Sequence, residues 1–211
     1  MKKNKGIFIT LEGIEGAGKS THMDYIASLV KSSGKKIVCT REPGGTNIGN
    51  ELRKILLFRK NGYKISDQTE LLLMFAARQQ HLDEVIRPAL KAGKIVLCDR
   101  FTDSTYAYQG GGRKIKSEII KQLAKVVHPD LKPDLTLLFD LPVKLGLERA
   151  NNRSEKDSFE SEETAFFERV RKTYLKIARS EPRRVKVIDA KKDIETVQSS
   201  IIKILKSKKI C

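Results

Sequence analysis

The stretch GIEGAGKS, residues 13–20, sits between the apolar run IFITL and a segment with helical spacing, and few motifs restrict a fold as tightly. It fits the phosphate-loop pattern G-x-x-x-x-G-K-[ST], with Gly13, Gly18, Lys19 and Ser20 in the fixed positions. Glycines let the backbone bend, so that N–H groups between Gly13 and Gly18, through Ile14, Glu15, Gly16 and Ala17, point inward at phosphate oxygens. The helix that follows adds its positive N-terminal end. Lys19 reaches the β and γ phosphates of a nucleoside triphosphate as a point charge, and the Ser20 hydroxyl is suited to Mg²⁺. Thr21 can support either.

Such a loop needs a strand before it and a helix after it, and the rest of the chain continues that alternation. Five apolar runs predict strands over Ile7 to Leu11, Lys36 to Cys39, Ile95 to Cys98, Leu135 to Phe139 and Val185 to Ile188. Helical spacing is read over Ser20 to Ser32, Ile48 to Phe58, Leu71 to Leu90 (interrupted near Pro88), Ile115 to Val127, Glu162 to Ala178 and Ile194 to Leu205. The expected fold class is α/β, a parallel sheet covered by helices on both faces, in one domain spanning residues 1–211. In such a sheet ligands collect at the carboxyl ends of the strands. TREPGGT after Cys39 and DRF after Cys98 each put an arginine beside a carboxylate at that edge, and arginine is the planar, bidentate binder of phosphate. Together with Lys19 this is more positive charge than one nucleotide needs, and a second phosphorylated substrate is implied.

The formal net charge is +16, which makes nucleic acid a partner to be weighed. The lysines are spread along the chain without the interleaved aromatic residues that stack on bases, so no specific nucleic-acid binding is expected. No apolar run approaches the ~18 residues of a membrane span, and no membrane association is expected. Cys39, Cys98 and Cys211 are odd in number and widely spaced, as reduced thiols in a cytoplasmic protein would be. The stretch ANNRSEKDSFESEE, residues 150–163, lacks strand or helix spacing and reads as too polar for core. It is expected to form a mobile lid, since phosphoryl transfer must exclude water.

FITLEGIEGAGKST, TREPGGT, LLLMFAARQQH, DRFTDSTYAYQGGGR, PDLTLLFDLP and FFERVRKTYLKIA together, in this order and across nearly the whole chain, resemble the bacterial thymidylate kinases. The resemblance implies the P-loop nucleoside monophosphate kinase fold, with a five-stranded parallel sheet of order 2-3-1-4-5, and usually a homodimer. It implies transfer of the γ-phosphoryl group of ATP to dTMP, with Mg²⁺, giving ADP and dTDP. Carried over by position, Arg53 and Arg100 hold the dTMP phosphate with Glu42 beside it, Arg78 bonds the thymine edge, and Ser104, Thr105, Tyr108 and Gln109 line the sugar and base pocket. Tyr108 crowds out a ribose 2′-hydroxyl. Glu15 faces the sugar 3′-hydroxyl, and Asp99 helps orient Mg²⁺ together with Ser20.

Two positions depart from the family pattern. The aromatic ring that stacks on thymine in many relatives is replaced here by Met74; Phe75 is adjacent but turned by about 100° on an ideal helix. Either the sulfur or the ring is left to cover the base. The phosphate loop holds no arginine at positions 14–17, so a lid cation must meet the transferring phosphoryl group. Arg149, Arg153 and Lys156 are the candidates. Arg149 falls on the preceding helix toward the adenine of ATP, and Lys156 lacks the bidentate fork, which leaves Arg153. Two other readings remain at this point: a kinase for another nucleoside or nucleotide, and a nucleotide switch that uses its basic surface on DNA.

If Arg153 neutralises the equatorial oxygens in flight, Arg153→Ala should lower kcat by roughly 10³ with little change in the Kd for dTMP. Steady-state rates beside calorimetric titration measure both, and a loss of less than about tenfold would move the role to Arg149 or Lys156.

Overall fold

The computed structural model describes residues 6–58, 64–151, 159 and 162–211. Five strands, β1 (Ile7–Glu12), β2 (Ile37–Arg41), β3 (Ile95–Asp99), β4 (Leu135–Asp140) and β5 (Val185–Asp189), form one parallel sheet of order β2-β3-β1-β4-β5. Both the parallel sheet and its order are as expected. Alternation along β1 explains why both faces must be covered. Ile9 and Leu11 join a cluster with Ile26 and Val30 of α1 (Lys19–Ser32) and Val197, Ile201 and Leu205 of α9 (Ile194–Ser207). Phe8, which precedes Ile9 and points to the opposite face, joins a separate cluster with Val96, Cys98, Leu82 and Ile86. The register pairs Leu11 with Asp99, Arg41 with Asp99 and Asp140 with Asp189, so the polar strand ends line up along one edge.

Several elements differ from the sequence reading, each for a physical reason. Strand β2 runs on through Thr40 and Arg41, because an edge strand half open to solvent accepts polar residues. Helix α2 (Asn47–Leu57) and helix α3 (Asp67–His81) begin earlier than their apolar spacing suggested, where Thr46 and Ser66 cap them by accepting from Gly49 N and Thr69 N. The expected helix to Leu90 is α3, a π-helical segment Leu82–Ile86 and α4 (Arg87–Lys91). Pro88 lacks an N–H and its ring crowds the carbonyl four residues back, and widening the preceding turn relieves this.

Two helical stretches have no bounds in the sequence reading because glycine hides their spacing, although the second was expected as the helix that carries Arg149. After α5 (Thr102–Thr105) the chain continues as a π-helical segment, Tyr106–Gly112, before α6 (Ser117–Val127). A Cβ on Gly111 would lie 2.2 Å from Thr173 Oγ1 and one on Gly112 2.4 Å from the Phe166 ring, so bare backbone is what lets α8 (Thr164–Ser180) pack there. Helix α7 (Val143–Asn151) carries Gly146 where it meets the phosphate loop, with space for no Cβ: the Glu15 carbonyl oxygen would be 2.7 Å away. The expectation of a loop beginning at residue 150 is corrected here. Ala150 is a buried residue of α7, and Phe159, expected outside the core, is 5% exposed and packed within it.

Gly146→Ala should force α7 and the phosphate loop apart, costing about 1–3 kcal/mol as overpacking does. For a chain of this size that is a drop in Tm of roughly 2–12 °C, read by thermal denaturation; an unchanged Tm would show that the two elements yield freely.

Candidate functional site

A cavity of about 220 Å³ opens at the carboxyl edge of the sheet. The phosphate loop forms one wall through Glu15, Gly16, Ala17, Gly18, Lys19 and Ser20. Glu42, Arg53, Met74, Arg78, Asp99, Arg100, Ser104, Thr105, Tyr108 and Gln109 form the others, so sixteen of the residues singled out in the sequence meet at one cavity. Gly13 and Ile14 lie behind the loop: Ile14 is buried in the core, and both carbonyls accept from Lys19 Nζ, at 3.2 and 3.0 Å. Thr21 and Arg149 line a second cavity of about 380 Å³ with Gly16, Ala17 and Gly18, so the loop separates two spaces. Arg153 and Lys156 lie outside the described residues.

Arg100 is the centre of the first cavity. The chain leaves β3 with Arg100 N–H donating to the Leu11 carbonyl at 2.9 Å, and Arg100 takes φ 70°, a left-handed conformation unusual for a residue with a side chain. Its guanidinium donates to Gly13 O (2.9 Å), Glu15 Oε1 (2.7 Å), Tyr108 OH (3.0 Å), Tyr174 OH (3.2 Å) and Ser104 Oγ (3.3 Å). Burial pushes the Glu15 carboxyl up, but Arg100, then Lys19 and the Tyr108 hydroxyl, outweigh it and bring its pKa to about 2. Burial and Arg100 push the Lys19 ammonium down, against the pull of Glu15, Asp99 and Glu12.

Arg78 sits on α3, 2% exposed, with Nε donating to Glu42 Oε2 at 2.7 Å and Nη2 to Thr105 Oγ1 at 3.0 Å. The other Glu42 oxygen is 3.0 Å from His81 Nδ1, and His81 Nε2 lies 2.6 Å from Thr40 Oγ1. Burial raises the Glu42 carboxyl, yet Arg78 and then His81 carry it below its ordinary value. Within the described residues, two buried atoms at the cavity have no hydrogen-bond partner, Arg78 Nη1 and Asp99 Oδ1. Leaving them so costs free energy, which a ligand with an acceptor at one point and a cation at the other would recover. Among the described residues no group of three metal-ligating side chains comes together. A single carboxylate oxygen and a serine hydroxyl on the walls of one cavity do fit Mg²⁺, which keeps several waters and takes most of its remaining ligands from substrate phosphates.

Met74 lines the cavity, whereas Phe75 turns into a cluster with Leu71 and Ile120. Arg41, the arginine of TREPGGT, lines it as expected, whereas sequence reasoning missed Pro43, Leu57, Phe101 and Phe159 at this cavity, and His22, Ala190, Lys192, Asp193, Ile194 and Val197 at the second. It also missed Glu12, which is fully buried and accepts from Phe101 N–H (2.8 Å), Ser104 Oγ (2.5 Å) and Tyr174 OH (3.0 Å). A glutamate ending an otherwise apolar strand, IFITLE, was the available signal.

The family model described as thymidylate kinase matches residues 11–201 of this chain. The chain is 55% identical over 200 residues to the thymidylate kinase of Pseudomonas syringae pv. tomato (strain ATCC BAA-871 / DC3000), covering 95% of each. It is 55% identical over 199 residues to that of Pseudomonas putida (strain W619), covering 94% of this chain and 96% of the other. Among solved structures, thymidylate kinase from Ehrlichia chaffeensis superposes with a TM-score of 0.77 at 37% identity, over 96% of this chain and 99% of that one.

Burial, then the nearby Asp103 carboxylate, push the Glu12 carboxyl from 4.5 up to about 8, against Ser104, Arg100 and the Phe101 N–H. A proton held in the folded chain and released in the unfolded one contributes stability that is full below 4.5 and is lost as the pH rises toward about 8. Glu12→Gln, which cannot ionise, should therefore show a flatter decline of Tm over that interval than the native chain. Parallel profiles would mean that Glu12 is charged throughout.

Proposed function

Because the chain belongs to the thymidylate kinase family, it is a phosphotransferase that carries the γ-phosphoryl group of ATP to dTMP, giving ADP and dTDP for dTTP synthesis, and we propose that the two cavities divide these substrates between them. ATP lies along the phosphate loop, with its phosphates on the N–H groups from Gly13 to Ser20 and its base in the second cavity beside Arg149. The dTMP occupies the first cavity. The single observation that carries this division is the pair of unpartnered buried atoms: Arg78 Nη1 is a donor waiting for a carbonyl of a base, and Asp99 Oδ1 an acceptor waiting for a cation or its water.

The reaction needs no protein nucleophile, because the acceptor phosphate oxygen is already anionic; positioning and charge neutralisation are the chemistry. Arg53 and Arg100 fix the dTMP phosphate in line with the γ-phosphorus. Lys19, released from the Gly13 and Ile14 carbonyls, covers the donor oxygens. Met74 lies against the base, and Tyr108, whose hydroxyl is held by Arg100 and Glu15, leaves no room for a 2′-hydroxyl. Asp99 and Ser20 would hold Mg²⁺, which when bound neutralises charge on the β and γ oxygens. The segment that follows α7, to about residue 163, serves as a lid on a single domain and brings Arg153 to the transferring group.

The proposal extends to a homodimer. Ile48 and Ile55 on α2, Leu72 on α3, and Ile119 and Val126 on α6 are exposed apolar side chains on helices that pack together, and a second copy would cover them. A cytoplasmic setting agrees with three unpaired cysteines, and no helix among the described residues is long and apolar enough to cross a membrane.

A coupled ADP-release assay with ATP and a panel of nucleoside monophosphates tests the acceptor. A clear optimum at dTMP is expected, and a different optimum would overturn the division of the cavities drawn above.

A further inference from the structure

One signature stretch, YAYQGGGR, ends in an arginine for which the reaction has no use. Arg113 lies beyond the cavity, with Nε and Nη2 donating to Oε1 and Oε2 of Glu70, both at 3.2 Å, while Nη1 donates to Glu162. Its guanidinium also sits 4.9 Å from the Phe166 ring centre and 5.5 Å from that of Phe159. Glu70 is 1% exposed, deep on α3 one helical stretch before Arg78. Its Oε1 accepts a further bond at 3.0 Å from Nε2 of Gln109, which is 2% exposed and lines the acceptor cavity.

An amide side chain has a donor end and an acceptor end, and what it presents to a ligand depends on which end is engaged elsewhere. Both Glu70 oxygens face guanidinium N–H groups, so the carboxylate can only accept, and only the Gln109 nitrogen can face it. The carbonyl end, Gln109 Oε1, is left for the cavity. Across the same cavity Arg78 Nη1 is a donor without a partner. An acceptor and a donor that both face one cavity can together meet a ring N–H and its neighbouring carbonyl, which thymine and uracil offer and cytosine does not: cytosine carries an acceptor at its ring nitrogen and an amino group in place of that carbonyl.

We propose that Glu70, clamped by Arg113, is a specificity-determining positioning residue, which fixes the Gln109 amide with its oxygen toward the base and thereby excludes cytosine nucleotides. Neither Glu70 nor Arg113 touches the substrate. The inference rests on the reading that the base of dTMP lies between Gln109 and Arg78.

Glu70→Gln frees the amide to turn, since a glutamine at that position can donate as well as accept. Rates with dTMP, dUMP and dCMP separate the outcomes. The KM for dTMP should rise about tenfold, more than kcat falls, and the preference for dTMP over dCMP should shrink by about tenfold, while dTMP over dUMP, which share the N–H and carbonyl edge, changes less than about twofold. An unchanged dTMP to dCMP ratio, or equal weakening of all three nucleotides, overturns the proposal and leaves Glu70 a scaffold residue. Gln109→Ala distinguishes the underlying reading: a raised KM for dTMP there, with Glu70→Gln silent, rejects only the role of Glu70. An unchanged KM in Gln109→Ala rejects the placement of the base, and the proposal with it. Should Glu70→Gln alone fail to fold, the double variant Glu70→Gln/Arg113→Gln, which removes both charges, is judged by the same ratios from calorimetric titration with dTMP and dCMP.

Discussion

Arg100 is the point on which the site depends. Its left-handed backbone costs of order 1–3 kcal/mol in a residue with a side chain, and such a conformation persists only where the surroundings over-determine it. Here they do: five hydrogen bonds from one guanidinium join the phosphate loop, the segment after β3 and Tyr174 on α8. Those elements come from residues 13 to 174, so the site cannot be assembled piecemeal. Glu12, beneath them, ties Phe101, Ser104 and Tyr174 to the end of β1.

Close approach at glycine sets the distances between these parts. Gly146 admits the phosphate loop to α7, and a Cβ on Gly16 would in turn lie 2.0 Å from the Gly146 carbonyl oxygen. Gly111 and Gly112 admit α8, which carries Tyr174 to Arg100 and Phe166 to Arg113. Helix propensity is given up at Gly111, Gly112 and Gly146, and the close packing this allows holds the donor side against the acceptor side.

Two largely buried polar chains line this side of the site. One runs Thr40, His81, Glu42, Arg78, Thr105, and the other Glu162, Arg113, Glu70, Gln109. In each an arginine is held by a carboxylate that water does not reach. Buried networks of this kind are costly when broken and rigid when complete, which suits a pocket that must tell one base from another.

The sequence by itself determined the loop that binds triphosphate, the alternation of strand and helix, and hence a parallel sheet whose carboxyl edge carries the site. These follow from local rules: glycine spacing, apolar periodicity and the position of charges after strands. It also marked Lys19 through the spacing of the phosphate loop and Arg100 through its place after β3, whereas Arg53 and Arg78 on helices and Gln109 in a helical segment were marked only by the resemblance to the thymidylate kinases. It did not disclose the bounds of the helix at Val143–Asn151, the helix at Thr102–Thr105, the π-helical segments, or the burial of Phe159, since glycine and polar residues mask helical spacing when the reason for them is a neighbour far along the chain. Glu70 and Arg113 were equally invisible, and Glu12 was signalled only by its place at the end of IFITLE. A charged residue reads as surface until folding encloses it with its partners, and only the tertiary structure, by bringing Glu70 of α3 against Arg113 and Gln109, decided which end of the Gln109 amide is engaged by a carboxylate.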